Sequence, residues 1–209
     1  MEIVGERIEA LGDKTALIRL DGFEGDVASQ LEKAIQIMKD NNRTKLILDL
    51  RNNGGGYMSI LTKVAKHLIY NGGKKTLIAY SKGKTENESF YMENGVRNDF
   101  IENIAVLANE GTASASECLI GAMLYYGEKF SIDNLVIEKN SEGTAKTYGK
   151  GIMQSTYKFL DGSALKITTA KILWPDKETC IHLKGILPID ANATEKGVSA
   201  IQRAVQILN

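Results

Sequence analysis

Short apolar runs alternate along the chain with segments in which apolar residues recur every three or four positions. The first pattern is typical of a buried strand and the second of one face of a helix. Together they predict strands at 15–20, 45–50, 76–80, 104–108 and 135–138, and helices at 26–41, 58–70, 114–126 and 195–208. This alternation is typical of an α/β layered fold with a largely parallel sheet flanked by helices.

Two regions depart from the alternation. Strands at 153–159 and 164–170 are predicted to form a hairpin, because Asp161-Gly162 between them is a turn signal. The polar stretches 81–99 and 140–147 show little periodicity, so we expect surface excursions there, the first a loop or a small hairpin. No linker or internal repeat is visible, and we expect a single domain over residues 1–209.

Composition excludes several classes of protein. The chain has 209 residues, 43% of them apolar, and 26 basic against 26 acidic residues give a net charge of +0, which does not favour a nucleic-acid partner. No apolar run approaches the ~20 residues of a membrane span, and the charged N-terminus does not resemble a signal peptide. Cys118 and Cys180 lack metal-ligand spacing, so we expect free thiols rather than a disulfide, and no cofactor.

A serine-rich turn, NEGTASASE, occupies residues 109–117 between a predicted strand and a predicted helix. A hydroxyl at this position lies beside the unpaired backbone N–H groups of a helix N-terminus, which can stabilise an oxyanion. The same segment also fits a plain helix cap, in which Glu117 completes a capping box with Ser114. From this segment alone, both interpretations stay open.

Three consecutive glycines follow the second predicted strand, in the segment RNNGGG at 51–56. Glycine permits positive φ and close approach of the backbone to a ligand. The loop therefore fits half of an oxyanion hole, a phosphate cradle or a plain turn, although it lacks the known phosphate-loop patterns. We expect Asp49, Arg51, Asn52 and Asn53 to hydrogen-bond its backbone.

A lysine lies between two glycines in the segment TYGKGIMQ at 147–154. A lysine, with an ordinary pKa of about 10.4, acts as a base only where its surroundings favour the neutral amine. In an extended chain Lys150 and Gln154 share one face, so the carboxamide would orient the amine. Taken alone, the segment is more typical of a solvated surface lysine. Neither His67 nor His182 is near a Gly-rich turn in the sequence, which argues against a Ser-His-Asp triad.

Taken together, these segments resemble the carboxyl-terminal processing, or tail-specific, family of serine peptidases. That family carries an L-D-L-R-N-N-x-G-G strand and loop, a [ST]-A-S-A-S-E turn and an F-G-K-G-x-x-Q-like segment, in that order. The corresponding segments here are LDLRNNGGG at 48–56, TASASE at 112–117 and YGKGIMQ at 148–154. SALKITTAKILWPD at 163–176 and KGILP at 184–188 resemble later motifs. The resemblance covers the chain from about residue 15 to the end and implies a ClpP/crotonase-like core.

The resemblance implies a catalytic role for three side chains. Ser114 would be the nucleophile, with Thr112 and Ser116 as second-choice hydroxyls. Lys150 would be the general base that deprotonates the serine and later protonates the leaving amine, and Gln154 would orient Lys150. This set implies a serine-type endopeptidase that hydrolyses polypeptides through an acyl-enzyme.

The resemblance also implies an oxyanion hole and two supporting residues. The backbone amides of Ala115 and of Gly55 or Gly56 would form the hole, and Glu117 and Thr147 would support the site. Two other classes share the fold. A non-catalytic peptide-binding domain should have lost part of the catalytic set, and a crotonase-like acyl-CoA enzyme would need paired carboxylates that we cannot identify.

The chain departs from the family in its length before the LDLRNN strand. Only about forty residues precede that strand, too few for the PDZ domain that is usual there. We therefore expect an excised core or a member without a PDZ domain, with a homo-oligomer or a regulatory PDZ-type partner left open. The family implies an extracytoplasmic location. The interval from Ser114 to Lys150 is longer than usual, and Pro188-Ile189-Asp190 replaces an adjacent Pro-Asp.

Overall fold

The computed structural model describes residues 14–209. The charged N-terminal segment, which does not resemble a signal peptide, lies outside the described residues except for Lys14. The strands are β1 (Thr15–Arg19), β2 (Lys45–Asp49), β3 (Thr76–Gly83), β4 (Asn87–Met92), β5 (Asn103–Ala108), β6 (Leu135–Glu138), β7 (Ile152–Lys158), β8 (Ala164–Leu173) and β9 (Ala193–Thr194). The α-helices are α1 (Val27–Asp40), α2 (Met58–Leu68), α3 (Ala115–Tyr126) and α4 (Val198–Leu208).

A five-stranded parallel sheet in the order β1-β2-β5-β6-β9 forms the centre of the fold. Strand β2 lies inside this sheet, with Lys45 in register with Thr15 on one side and Asn103 on the other. Its residues Leu46, Ile47 and Leu48 are fully buried. This continuous burial confirms the prediction of a strand that is covered on both faces.

Helices cover the two faces of the parallel sheet unequally. Ile47 points to the face that packs against α4, through Ala200 and Ala204. Its neighbours Leu46 and Leu48 point to the opposite face, in the larger core that contains residues of α1, α2 and α3. The predicted α/β architecture is therefore confirmed. None of the helices within residues 14–209 is long and apolar enough to cross a membrane.

A second, antiparallel sheet in the order β4-β3-β8-β7 packs beside the first, and the alternation pattern does not predict it. The predicted strand at 76–80 belongs to this sheet, and the polar stretch after it returns as β4 to form a hairpin. The predicted hairpin of 153–159 and 164–170 is present, but β8 extends to Leu173 and pairs with β3. Much of this sheet is solvent-exposed, so its strands lack the apolar pattern that identifies buried ones.

Helix α3 is buried along most of its length, from Ala115 to Met123. Trp174, which follows β8, lies flat against it at Gly121, where an added Cβ would come within 2.3 Å of the indole ring. The glycine therefore allows the end of the antiparallel sheet to approach the helix. This contact fixes the second sheet against the helix that begins at the serine-rich turn.

We expect Gly121→Ala to destabilise the protein by about 1–3 kcal/mol, since the new methyl group would overpack the contact with Trp174. Helix propensity alone predicts the opposite sign, a gain of about 1 kcal/mol. Urea unfolding measures the difference. Ser29→Ala, on the exposed side of α1, should change stability by less than about 0.5 kcal/mol. A stabilised Gly121→Ala protein would contradict the packing interpretation.

Candidate active site

Ser114 lies at the N-terminus of α3 in an unusual backbone conformation. Its φ of 58° and ψ of −115° fall in a region that residues other than glycine rarely adopt, at a cost of about 1–3 kcal/mol. The side chain is half-buried and lines a pocket. This sharp strand-to-helix turn therefore presents the serine hydroxyl beside the first N–H groups of the helix.

The two other hydroxyls of the turn have different environments. Thr112 Oγ1 donates a hydrogen bond of 2.8 Å to the backbone oxygen of Leu50, and Ser116 Oγ donates one of 2.9 Å to the backbone oxygen of Asn53. Both side chains are fully buried. Neither lines the pocket, so Ser114 is the hydroxyl of this turn that a ligand can reach.

The RNNGGG loop is attached to the serine turn by hydrogen bonds. Asn53 is fully buried, its Nδ2 donates to the backbone oxygen of Leu20 at 2.8 Å, and its own backbone oxygen accepts from the N–H of Ala113 at 3.0 Å. Asn52 and Asn109 exchange two hydrogen bonds of 2.9 and 3.0 Å. Within the loop, Asn53 Oδ1 accepts from the N–H of Gly55 and Asp49 Oδ1 accepts from the N–H of Arg51, as the sequence predicts. The side chain of Asn52 instead binds Asn109.

An ion-pair network lies beneath the same loop. Arg51 donates two hydrogen bonds to the carboxylate of Asp49, at 2.8 and 2.6 Å, and a third to Glu138 at 2.6 Å. Burial alone would lower the pKa of Arg51, but the hydrogen bonds and charges of these two carboxylates raise it, so the guanidinium stays positive. Glu138 also accepts from the N–H of Gly197, at the start of α4. The network connects the ends of β2 and β6 to that helix.

Gly55 is in direct contact with the serine turn. An added Cβ on this residue would lie 2.8 Å from Ser114 Cβ and from the backbone nitrogen of Ala115, and its φ is +98°. Its N–H donates to Asn53 Oδ1 at 3.0 Å. By contrast, neither the N–H of Gly56 nor that of Ala115 donates a hydrogen bond within residues 14–209. Of the two glycines named for an oxyanion hole, Gly56 has the free N–H.

The carboxylate of Glu117 connects the serine turn to the lysine segment. The side chain is fully buried, and Oε1 accepts from Thr147 Oγ1 and from the N–H of Gly149 at 2.8 Å. Oε2 accepts from the N–H of Ser114 and from the N–H of Lys150, both at 2.9 Å. No cation within the described residues forms an ion pair with this carboxylate. Its charge is therefore stabilised by hydrogen-bond donors alone.

A turn at residues 181–185 packs against both glycines that flank Lys150. A Cβ on Gly149 would lie 2.7 Å from the N of Gly185, and one on Gly151 would lie 2.7 Å from the N of His182. His182 is therefore close to the lysine segment in space although the two are distant in sequence. Its ring does not line the pocket, and its buried Nδ1 has no partner among the described residues.

One pocket of about 150 Å³ brings the separate segments together. Of the residues predicted from the sequence, Ser114, Lys150, Gln154 and Gly56 line it. Ala115, Glu117 and Thr147 are fully buried and do not line it. The other lining residues are Met58, Ile152, Met153, Lys166 and Ile172. Sequence reasoning missed these five.

Both cysteines are free, as the sequence predicts. Cys118 is buried one residue after Glu117, and burial raises the pKa of its thiol to about 12. Cys180 is half-buried, and its Sγ lies 3.8 Å from the backbone oxygen of Gly151. A thiol with so high a pKa is a poor nucleophile, so Cys118 contributes packing to the region behind the pocket.

Comparisons with known proteins identify the family to which the chain belongs. The sequence profile of peptidase family S41 matches residues 14–190. The chain belongs to this family. It is 36% identical over 176 residues to a "Probable CtpA-like serine protease" of Staphylococcus aureus (strain COL), an alignment that covers 84% of this chain and 32% of the relative. A protein of the same description from Staphylococcus epidermidis is 34% identical over 180 residues, covering 86% and 34%. The chain thus spans about a third of these relatives.

Solved structures support the fold assignment. The photosystem II D1 C-terminal processing protease superposes with a TM-score of 0.69 at 24% identity, covering 93% of this chain and 46% of that one. Mature CPAF complexed with lactacystin superposes with a TM-score of 0.62 at 13% identity, covering 92% and 49%. The resemblance to carboxyl-terminal processing peptidases that the motifs indicate is confirmed, as is the fold class.

We expect Glu117→Gln to destabilise the protein by about 1–3 kcal/mol, because the new NH₂ group would face two of the four donors that the carboxylate now satisfies. Urea unfolding measures the loss. Glu110→Gln is the matched control, since Glu110 lies exposed on the same turn and should change stability by less than about 0.5 kcal/mol. Equal effects of the two substitutions would contradict a structural role for the Glu117 carboxylate.

Proposed function

We propose that this chain is the catalytic domain of a serine endopeptidase that hydrolyses polypeptides through a Ser114–Lys150 pair. The observation that carries the proposal is the shared pocket, which Ser114, Lys150 and Gly56 line. The backbone N–H groups of Gly56 and of Ala115, the residue after Ser114, donate to no acceptor among the described residues. A nucleophile, a base and an oxyanion site are the three parts that acyl transfer requires.

The proposed reaction proceeds through an acyl-enzyme. The neutral amine of Lys150 accepts the hydroxyl proton as Ser114 Oγ attacks the peptide carbonyl carbon. The N–H groups of Gly56 and Ala115 bind the oxyanion, helped by the N-terminus of α3. The intermediate collapses, Lys150 gives the proton to the leaving amine, and an ester remains on Ser114. Water, deprotonated by Lys150, then hydrolyses the ester.

Two features of the pocket support the role of Lys150 as the base. Its backbone N–H is held by Glu117, which also holds the N–H of Ser114, so one carboxylate sets the separation of the two segments. Gln154 lines the same pocket, where its carboxamide oxygen is suited to accept a hydrogen bond from the amine and to direct the nitrogen lone pair toward Ser114.

A strand edge beside the pocket, unpaired among residues 14–209, suits a polypeptide substrate. Strand β7 is an outer strand of its sheet. Just before it, the backbone oxygen of Gly151 accepts from the N–H of Ile172 on β8, and just after it the N–H of Phe159 donates to the backbone oxygen of Ser163. Backbone groups alternate in direction along an antiparallel strand, so those of Gln154 and Thr156 point away from β8. An extended peptide can pair with this edge as an added strand. An acyl-CoA enzyme, by contrast, would need carboxylates that this pocket does not contain.

We also propose that the described residues act as one catalytic unit. The serine turn follows β5 of the parallel sheet, whereas Gln154 and Ile172 belong to the antiparallel sheet, and all of them line one pocket. The site therefore needs both sheets: the parallel sheet positions Ser114, and the antiparallel sheet supplies the residues that surround Lys150.

The decisive test is cleavage of casein by the wild-type protein and by Ser114→Ala and Lys150→Ala. We expect each substitution to lower the rate at least about a thousandfold, because nucleophile and base act as a unit. Ser59→Ala and Lys146→Ala, which lie outside the pocket, serve as matched controls and should leave the rate unchanged. Activity that survives in Ser114→Ala would disprove the assignment.

The contact between Gly55 and the serine turn gives a second test. A methyl group on Gly55 would force Ser114 or Ala115 to move, and a displacement of about 1 Å can cost on the order of a hundredfold in rate. We therefore expect Gly55→Ala to lower kcat about a hundredfold. Gly54→Ala is the matched control, since a Cβ there meets nothing within 4 Å. Equal rates for the two variants would show that the contact does not position the serine.

A further inference from the structure

A second lysine, Lys166, lines the pocket that holds Ser114 and Lys150. It lies on β8 directly opposite Thr156 of β7. The next pair of opposite residues on the same face of the hairpin is Gln154 on β7 and Thr168 on β8. Directly opposite residues and residues two apart share one face of a sheet. The side chain of Lys166 is therefore on the face from which Gln154 enters the pocket, one pair further along the hairpin.

No acidic residue neutralises this lysine within the described part of the chain. No Asp or Glu lines the pocket, and Lys166 forms no ion pair within residues 14–209. Glu117 is fully buried and its oxygens are occupied by the donors described above. Since the proposed base, Lys150, must be neutral to act, Lys166 is the charge that remains available to a ligand in this pocket.

The exposure of Lys166 favours a role toward substrate over a role toward Lys150. Its side chain is solvent-exposed in the free protein, and solvent and salt weaken the effect of an exposed charge on its neighbours. A bound polypeptide would cover the pocket and displace that water, which strengthens the attraction between the ammonium group and an anion of the substrate.

We propose that Lys166 is a specificity-determining residue that binds a carboxylate of the polypeptide substrate next to the scissile bond. The proposal rests on the peptidase function and deepens it. The carboxylate comes from an Asp or Glu side chain or from the substrate's C-terminus, two sources of one chemistry. In both cases the enzyme prefers acidic over neutral peptides of the same length.

Three matched peptides separate the two sources. The first is a neutral peptide with an amidated C-terminus, the second carries one Glu in place of Gln near the scissile bond, and the third has a free C-terminal carboxylate. We expect the wild-type protein to cleave at least one acidic peptide with a KM about tenfold below that of the neutral one, the size of one charge-assisted hydrogen bond. The peptide with the lower KM shows whether the carboxylate comes from a side chain or from the C-terminus of the substrate.

Lys166→Met should abolish the preference by raising KM for the acidic peptide about tenfold relative to KM for the neutral peptide. Lys166→Arg should retain it, because the charge is kept. Lys158→Met is the matched control: it removes the same charge from the same exposed hairpin, outside the pocket, and should retain the preference. A circular-dichroism melting curve checks that each variant is folded.

Two results would overturn the proposal. One is a wild-type protein that does not distinguish the peptides. The other is a Lys166→Met protein whose kcat falls for all three peptides with a shifted pH profile, since that would mean Lys166 acts on Lys150 instead. Binding of fluorescent peptides to Ser114→Ala repeats the comparison without turnover. A tenfold preference in binding that is lost in the Ser114→Ala, Lys166→Met double variant supports the carboxylate site. This holds even if the wild-type protein cleaves no peptide, because a lack of cleavage would count against the peptidase function alone.

Discussion

The buried carboxylate of Glu117 is the interaction on which the site depends. Its two oxygens accept four hydrogen bonds, one from the serine turn and three from residues 147–150. Burying an unpaired carboxylate would be prohibitive, and leaving its donors unsatisfied would cost about 1–3 kcal/mol each. In the folded chain both segments therefore meet at this carboxylate. The geometry that the proposed chemistry needs is thus a consequence of satisfying one buried charge.

The serine turn is held from the other side by the RNNGGG loop. The carboxyl ends of neighbouring parallel strands meet at one edge of a sheet, so the loops after β2 and β5 lie together. Gly55 touches Ser114 and Ala115, while Asn53 bonds the backbone of the turn from below. These contacts stabilise a strained conformation at Ser114, and they do so without using the N–H groups of Gly56 and Ala115. A turn held this firmly is suited to bind a developing charge, because little reorganisation is needed.

The antiparallel sheet completes the pocket. It brings in Gln154, Lys166 and three apolar residues from β7 and β8, and Trp174 fixes it against α3 at Gly121. The parallel sheet thus supplies the rigid half of the site, and the hairpin supplies the exposed half. This division suits a peptidase in which the proposed chemistry is built on the buried core and the choice of substrate is made by a solvent-exposed strand.

The sequence by itself determined the helices, the buried strands and the three motifs of the site. Burial on both faces leaves a continuous apolar run, as at residues 46–48, and glycines and small residues at fixed spacing identify the turns. The exposed sheet leaves a weaker trace: the stretch that contains β4 was predicted only as a loop or a small hairpin, and the pairing of β3 with β8 was not predicted. The family motifs likewise identified Ser114, Lys150 and Gln154 as a set, but they contain no distances.

Tertiary structure decided which groups are free to act. The choice between Gly55 and Gly56 depends on Asn53 Oδ1, which occupies one of the two N–H groups. The choice among three hydroxyls depends on the backbone oxygens of Leu50 and Asn53, which bind Thr112 and Ser116. In the sequence Lys166 is typical of a surface lysine, and only the register of β7 and β8 shows that it lines the pocket. Each of these outcomes depends on a partner that is distant in the chain, and a local pattern carries no information about such partners.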